Sequence, residues 1–148
     1  MTKWLSDREL AAWHGLLQTT DHLRDVLNRQ LLETSGVSLA DYEVLGRVAH
    51  SEGGARVRDL TATLAWEQSR ISHQLTRLTK AGYVAREQCD EDRRGSRFTL
   101  TDRGRELLAS AAPGHVDAVR ALFFDRIDPE MVDQLTKLSA VVSAPQTE

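Results

Sequence analysis

The segment Glu67 to Leu78, EQSRISHQLTRL, has no acidic residue after Glu67 and sets Ser, His, Gln, Thr and two Arg among three apolar residues. Solubility alone is served by Glu and Lys, whereas short or forked hydrogen-bonding side chains serve recognition. A guanidinium offers five donors in a rigid fork that pairs with O6 and N7 of guanine, and Ser or His can meet base edges or phosphates. Placing these residues at helical steps brings Ile71, Leu75 and Leu78 within roughly 60° of one another as a buried stripe. Ser69, Arg70, His73 and Arg77 then face the other way, with Thr76 and Lys80 at the margin and Gln68 in the first turn. A helix in the major groove reads with its N-terminal half, where Gln68, Ser69, Arg70 and His73 lie.

The charge distribution agrees with that chemistry. The whole chain of 148 residues has a formal net charge of −3. From Ala55 to Arg105, 11 Lys and Arg stand against 7 Asp and Glu, giving +4, while the remainder holds 8 against 15, giving −7. Such asymmetry within one chain points to a nucleic-acid partner. No apolar run approaches the ~20 residues of a membrane span, and MTKWLSDREL lacks the apolar core of a secretory signal. A single cysteine, Cys89, excludes an intramolecular disulfide framework and fits a reducing cytoplasm.

The elements that must position the reading face follow from caps and periodicity. Ser6 precedes Glu9 at capping-box spacing, and Leu10, Trp13, Leu16, Leu17, Leu23, Val26, Leu27 and Leu31 then mark one face of a long helix ended by Gly36. Its length, roughly 26 to 29 residues, is more than twice the usual. Ser38 caps a second helix through Asp41, with Leu39, Tyr42, Leu45 and Val48 inward, stopping at SEGG. ARV at 55–57 predicts a strand of two or three residues, and RDLTATLAW a short third helix with Leu60 and Leu64 inward. Trp66 and Glu67 form the turn into the fourth helix, which runs to Lys80 with Gly82 as its stop. Alternating runs at Tyr83–Cys89 and Ser96–Leu100 predict a β-hairpin whose tip contains Gly95. Thr101 or Asp102 caps a fifth helix that Pro113-Gly114 interrupts with a kink, and Asp128-Pro129 starts a last helix carrying Met131, Val132, Leu135, Leu138 and Val141, ended by Pro145.

The hairpin tip DEDRRGSR has two readings. It is either a self-neutralising surface turn or a wing whose Arg93, Arg94 or Arg97 meets the minor groove, with an acid orienting an arginine. The run SRISHQLTRLTKAGYV, then DEDRRG, then FTLTDRG resembles the MarR family of bacterial winged-helix transcriptional regulators, and the likeness extends through SLADYEVL to the helical ends. The resemblance implies a mainly α fold with a small β-wing: a winged helix-turn-helix in the order helix, helix, strand, helix, helix, two wing strands, helix, helix. It implies an interlocked helical homodimer built by the first, fifth and sixth helices, Arg94 entering the minor groove, and Asp92 bracing the wing. Residues 37–101 would form the DNA-binding domain, and 1–36 with 102–148 the dimerisation region. Glu67 departs from the Ser-type cap common in the family, so the first turn of the fourth helix is set differently here.

The dimer also has a physical basis, because three apolar-striped end segments, including the cluster Phe123, Phe124 and Ile127, exceed what a small reading module can cover. No catalytic constellation is present. The five histidines lack metal-ligand spacing, Gly53-Gly54 is an isolated turn, and no Gly-x-Ser-x-Gly occurs, so neither enzyme activity nor a metal or cofactor is expected. Cys89 beside Asp90 and Glu91 lacks the positive surroundings of a reactive thiolate. The expected function is sequence-specific double-stranded DNA binding by a cytoplasmic transcriptional regulator, a repressor, released by a small aromatic or phenolic effector. The effector pocket is expected where helices one, two and five meet, at Trp13, His14 and Tyr42. A winged-helix protein-interaction module and a ligand-binding dimer without a DNA role remain the alternatives; exposed aromatics or leucines on the reading face would favour the former.

Overall fold

Four helix starts carry the side-chain caps that their sequences call for. The computed structural model describes residues 1–88 and 95–144. Ser6 and Glu9 close a capping box at the start of α1 (Asp7–Ser35), and Gly36 ends it in the left-handed conformation at φ 69°. Ser38 and Asp41 form a second capping box on α2 (Leu39–Ala49). Asn28 of α1 accepts from the Leu39 N–H at 2.9 Å, so the first turn of α2 is held from a second side. The helices α3 (Val57–Leu64) and α4 (Gln68–Lys80) meet through Ala65, whose φ of 52° turns the chain sharply. Neither has a side-chain cap; Glu67 at the start of α4 places its negative charge at the positive end of the helix instead.

Strands β1 (Val84–Gln88) and β2 (Ser96–Leu100) pair antiparallel, from Val84 opposite Leu100 to Gln88 opposite Ser96. The short strand expected at 55–57 is reduced to a single bridge, Ala55 exchanging both backbone bonds with Phe98 at 2.9 Å. The physical reason is that Gly53 and Gly54, both at positive φ, precede it and α3 begins at Val57, leaving one residue free to pair. Helix α5 (Asp102–Leu122) is capped by Thr101 and, contrary to expectation, runs through Pro113 as one helix. The carbonyl deprived of its donor belongs to Ala109, and both residues are exposed, so water can serve it. A single 3-10 turn (Phe124–Arg126), absent from the sequence reading, leads to α6 (Pro129–Val142), which Asp128 caps by accepting from Met131 N–H at 2.8 Å. The expected stop at Pro145 and the strand end at Cys89 lie outside the described residues.

Val44, Leu45 and Val48 of α2 join Leu60, Ile71, Leu75, Leu78, Val84 and Phe98 in one core that unites α2, α3, α4 and the hairpin. A second cluster, Leu31, Leu39 and Ala111 with Leu27 and Tyr42 against it, joins α1, α2 and α5. Among the described residues the N-terminal part of the α1 stripe is uncovered: Leu10, Trp13, Leu16 and Leu17 are exposed, and α6 has no buried residue. Among the described residues no helix is long and apolar enough to cross a membrane.

The motif Leu100-Thr101-x-x-Gly104 has a steric explanation. Thr101 donates its hydroxyl to Gly82 O at 2.6 Å and accepts from Gly104 N–H at 3.1 Å, drawing α5 against the end of α4. A Cβ on Gly104 would lie 2.1 Å from the Tyr83 carbonyl oxygen, a backbone atom that cannot step aside. Gly104→Ala is therefore expected to lower stability by about 2–3 kcal/mol, in the range of core overpacking. Urea unfolding at fixed protein concentration measures this directly.

Candidate nucleic-acid interface

The fourth helix divides as its periodicity predicts. Ile71, Leu75 and Leu78 are essentially buried, and Gln68, Ser69, Arg70, His73, Thr76, Arg77 and Lys80 are exposed. Gln74 departs from the pattern as a polar residue on the buried side. The exposed surface carries no carboxylate from α4 itself.

Individual side chains on that surface are set by specific neighbours. The Arg70 guanidinium lies 3.7 Å from the centroid of the half-buried Trp66 ring, a stacked arrangement that restricts the arginine while leaving its edge donors outward. Thr76 donates its hydroxyl to the Ser72 carbonyl at 2.9 Å, so its methyl is the outward group. Arg77 is not a free reader: its Nη2 donates to Asp41 Oδ2 of α2. Gln74 Nε2 donates to the other oxygen of the same carboxylate at 2.9 Å. The sequence reading gave Asp41 only its capping role and passed over Gln74, since a partner more than thirty positions away leaves no mark on local spacing.

Arg97, expected on the wing, is half-buried, and its Nη1 donates to the carbonyls of Gly53 at 3.2 Å and Gly54 at 3.5 Å, anchoring the hairpin to the turn before α3. Arg86, which the sequence reading passed over, is exposed on β1 and donates through Nε to Ser96 Oγ at 2.6 Å. Together with Arg58, Gln68 and Thr76 it lines a cleft of about 380 Å³ between α4 and the hairpin. The wing-tip residues Asp92, Arg93 and Arg94, like Cys89, lie outside the described residues.

A larger cleft of about 570 Å³ opens between α1, α2 and α5, lined by Leu27, Arg47, Leu108, Ala112, Tyr42 and His115 among others. Tyr42 belongs to it as expected, but Trp13 and His14 do not. The nearest lining residue of α1 is Leu23, about 13 Å further along the helix axis than His14. His115, which was not anticipated, takes their place: its ring centroid is 4.5 Å from that of Tyr42. Its Nδ1 is buried without a hydrogen-bond partner among the described residues. Burial holds His115 below the usual histidine range, opposed by the nearby Glu43 carboxylate, and burial pushes the Tyr42 phenol up. Glu43 is itself forked onto Arg24 at 3.2 and 3.1 Å. Among the described residues no cluster of His, Cys, Asp and Glu could hold a metal ion.

Comparison with known proteins places this geometry in context. A family model described as a winged helix DNA-binding domain matches residues 37–104. The crystal structure of Sco3205, a MarR family transcriptional regulator from Streptomyces coelicolor, in complex with DNA, is 36% identical at a TM-score of 0.92, covering 99% of this chain and 95% of that one. AbsC, a MarR family regulator from the same organism, is 38% identical at a TM-score of 0.89, with 96% of each chain covered. CouR from Rhodococcus jostii RHA1, bound to p-coumaroyl-CoA, is 25% identical at a TM-score of 0.77, covering 90% and 92%. An HTH-type transcriptional regulator of Bacillus subtilis is 26% identical over 103 residues, 70% of this chain and 66% of that protein.

The depressed His115 gives a pH signature. The unfolded chain takes up a proton at the ordinary histidine value, whereas the folded cleft resists it, so the unfolded state binds more protons on acidification. The stability associated with neutral His115 is complete above the ordinary histidine range and declines as pH falls through it. His115→Gln is expected to lose less stability than the wild type between about pH 7.5 and about pH 5, measured by urea unfolding at each pH.

Proposed function

The chain belongs to the MarR family of winged-helix, DNA-binding transcriptional regulators, and from that premise we propose that it acts as a homodimeric repressor on a pseudo-palindromic operator. The observation that carries the readout is Arg70 stacked on Trp66 at the start of an exposed, acid-free helix face. Stacking limits the rotamers that the guanidinium must give up on binding, which favours a bidentate pair with a guanine. Gln68, Ser69 and His73 share the same two turns and complete the base-reading set, while Thr76, Arg77 and Lys80 lie further along, where the helix leaves the groove beside the phosphates. Arg93 and Arg94 are assigned to the minor groove beside the wing, with Asp92 bracing them.

Residues 37–101 form the reading domain in this proposal, and 1–36 with 102–148 the dimerisation region. The exposed stripe of α1 together with Met131, Leu135, Leu138 and Val141 of α6 supports that division, because a single chain leaves them in water. Two-fold symmetry then requires half-sites one helical turn apart or a multiple of it. The effector is assigned to the cleft holding Tyr42 and His115. A tilted aromatic pair, a ring nitrogen without a partner among the described residues and the nearby Arg24 and Arg47 suit a small aromatic acid. The solved relative CouR is bound to p-coumaroyl-CoA, whose acyl group is aromatic, which supports the aromatic part of that assignment.

Selection of duplexes from a random-sequence library by the purified protein is expected to enrich an inverted repeat; enrichment of nothing, or of a single unpaired site, would overturn the proposal. Arg70→Ala and His73→Ala are each expected to relax preference at one position of the half-site, by about 1–3 kcal/mol for a bidentate contact. Arg94→Ala should instead weaken selected and random duplexes alike and reduce the salt slope by about one. Leu135→Glu with Leu138→Glu is expected to yield a monomer in analytical ultracentrifugation and to abolish binding to the inverted repeat.

A further inference from the structure

We propose that Asp41 is a positioning residue for DNA recognition, fixing the Arg77 guanidinium at the edge of the reading face so that it meets a backbone phosphate. This rests on the reading that the exposed face of α4 binds DNA. The carboxylate is almost fully buried, and a buried carboxylate is tolerated only when it is paired and hydrogen-bonded. Three donors converge on it: the Ser38 N–H at 3.0 Å, Gln74 Nε2 at 2.9 Å, and Arg77 Nη2.

Capping α2 does not account for this arrangement. The same capping box occurs on α1, where Glu9 bonds Ser6 and stays in solvent. Asp41 instead points inward and is gripped by two residues of α4 that stand three apart, on one side of that helix. Gln74 occupies a buried position that an apolar residue would fill if packing were its only role. Arg77 emerges from the contact with its side chain still 55% exposed, beside His73 and Lys80. One carboxylate oxygen engages one of the five guanidinium donors, leaving the outer edge for a phosphate oxygen. The long, flexible arginine stem is thereby ordered before DNA arrives, which removes part of the entropy lost on binding.

The proposal separates from simple electrostatics by sign. Asp41→Asn removes a negative charge near the DNA face, which by charge alone should tighten binding. Positioning predicts the reverse: affinity for the duplex enriched by the wild-type protein about tenfold weaker, measured on active protein determined by stoichiometric titration. Arg77→Ala should weaken binding by at least as much, and the double variant should be no weaker than Arg77→Ala alone. Ser38→Ala, which disrupts the capping box and spares the carboxylate, should lower Tm without changing affinity. Arg77→Lys keeps the charge and the fold but cannot hold both partners in a planar fork, and should also bind about tenfold more weakly at an unchanged salt slope. Equal or tighter binding by Asp41→Asn, additive losses in the double variant, an affinity loss in Ser38→Ala matching that of Asp41→Asn, or unaltered binding by Arg77→Lys would each overturn the proposal. If the wild type enriches no duplex, the DNA-binding reading fails and takes this assignment with it. If enrichment occurs and Asp41→Asn binds as the wild type does, only this assignment fails.

Discussion

The burial of Ile71, Leu75 and Leu78 is the constraint on which everything else depends. A short helix has little stability of its own in water, so α4 exists as a helix because its apolar face is removed from solvent. Each fully buried Leu or Ile contributes about 1.5–3 kcal/mol relative to exposure. The partners are Val44, Leu45 and Val48 of α2, Leu60 of α3, and Val84 and Phe98 of the hairpin. With one face held by three neighbours, the opposite face is released from any packing duty and can carry Ser69, Arg70 and His73. The wing is held in the same way: the Phe98 side chain enters this core, its backbone exchanges both bonds with Ala55, and Arg97 binds the turn just before Ala55. Reading helix and wing are thus oriented relative to each other by a single core.

What the sequence made legible is what short-range rules govern. Ser6, Ser38, Thr101 and Asp128 cap where they stand because a hydroxyl or carboxylate three residues before an unpaired N–H can reach it in no other local geometry. The buried stripe of α4 follows from the helical period alone. Interactions that cross the chain were not legible. Spacing identifies Arg77 and Arg97 as outward or polar positions, but their partners lie 36 and 44 positions away, in α2 and in the 53–54 turn. Trp13 and His14 suggested a pocket because aromatic and hydrogen-bonding groups suit ligands. Yet a helix of 29 residues is long enough that residues on its N-terminal turns never reach a cleft opened at its C-terminal half. His115 escaped notice because it follows Pro113-Gly114, where a break in the helix was expected. The helix instead continues and carries the ring onto Tyr42.

The exposed apolar stripes set a second constraint, one the single chain does not satisfy. Leu10, Trp13, Leu16 and Leu17 on α1 lie at helical spacing, and Met131, Leu135 and Leu138 repeat the pattern on α6. Isolated surface leucines are ordinary, but two continuous stripes on terminal helices are the mark of an interface. If these faces join two copies and α4 reads the bases, the separation of the two α4 helices would be set by α1, α5 and α6, and the base chemistry by α4. Spacing and sequence preference would then be governed by different parts of the chain.

Helix α2 is where these constraints meet, for it touches α1, α3, α4, α5 and β2. Its first turn carries Asp41 and Tyr42 side by side, one bonded to the reading helix and the other lining the cleft beside His115. Neighbouring residues of a rigid helical turn cannot move independently. A group entering between Tyr42 and His115 would act on the same turn that holds Gln74 and Arg77. Such a ligand would shift the DNA-binding equilibrium only as far as it prefers one placement of that turn over another. The carboxylate on the far side of the turn limits what placements exist. Once Arg77 and Gln74 let go, Asp41 would be a buried charge with a single backbone donor, a state that costs several kcal/mol unless water enters. Coupling the cleft to the exposed face of α4 would therefore require a second arrangement of this turn in which that charge is satisfied in another way.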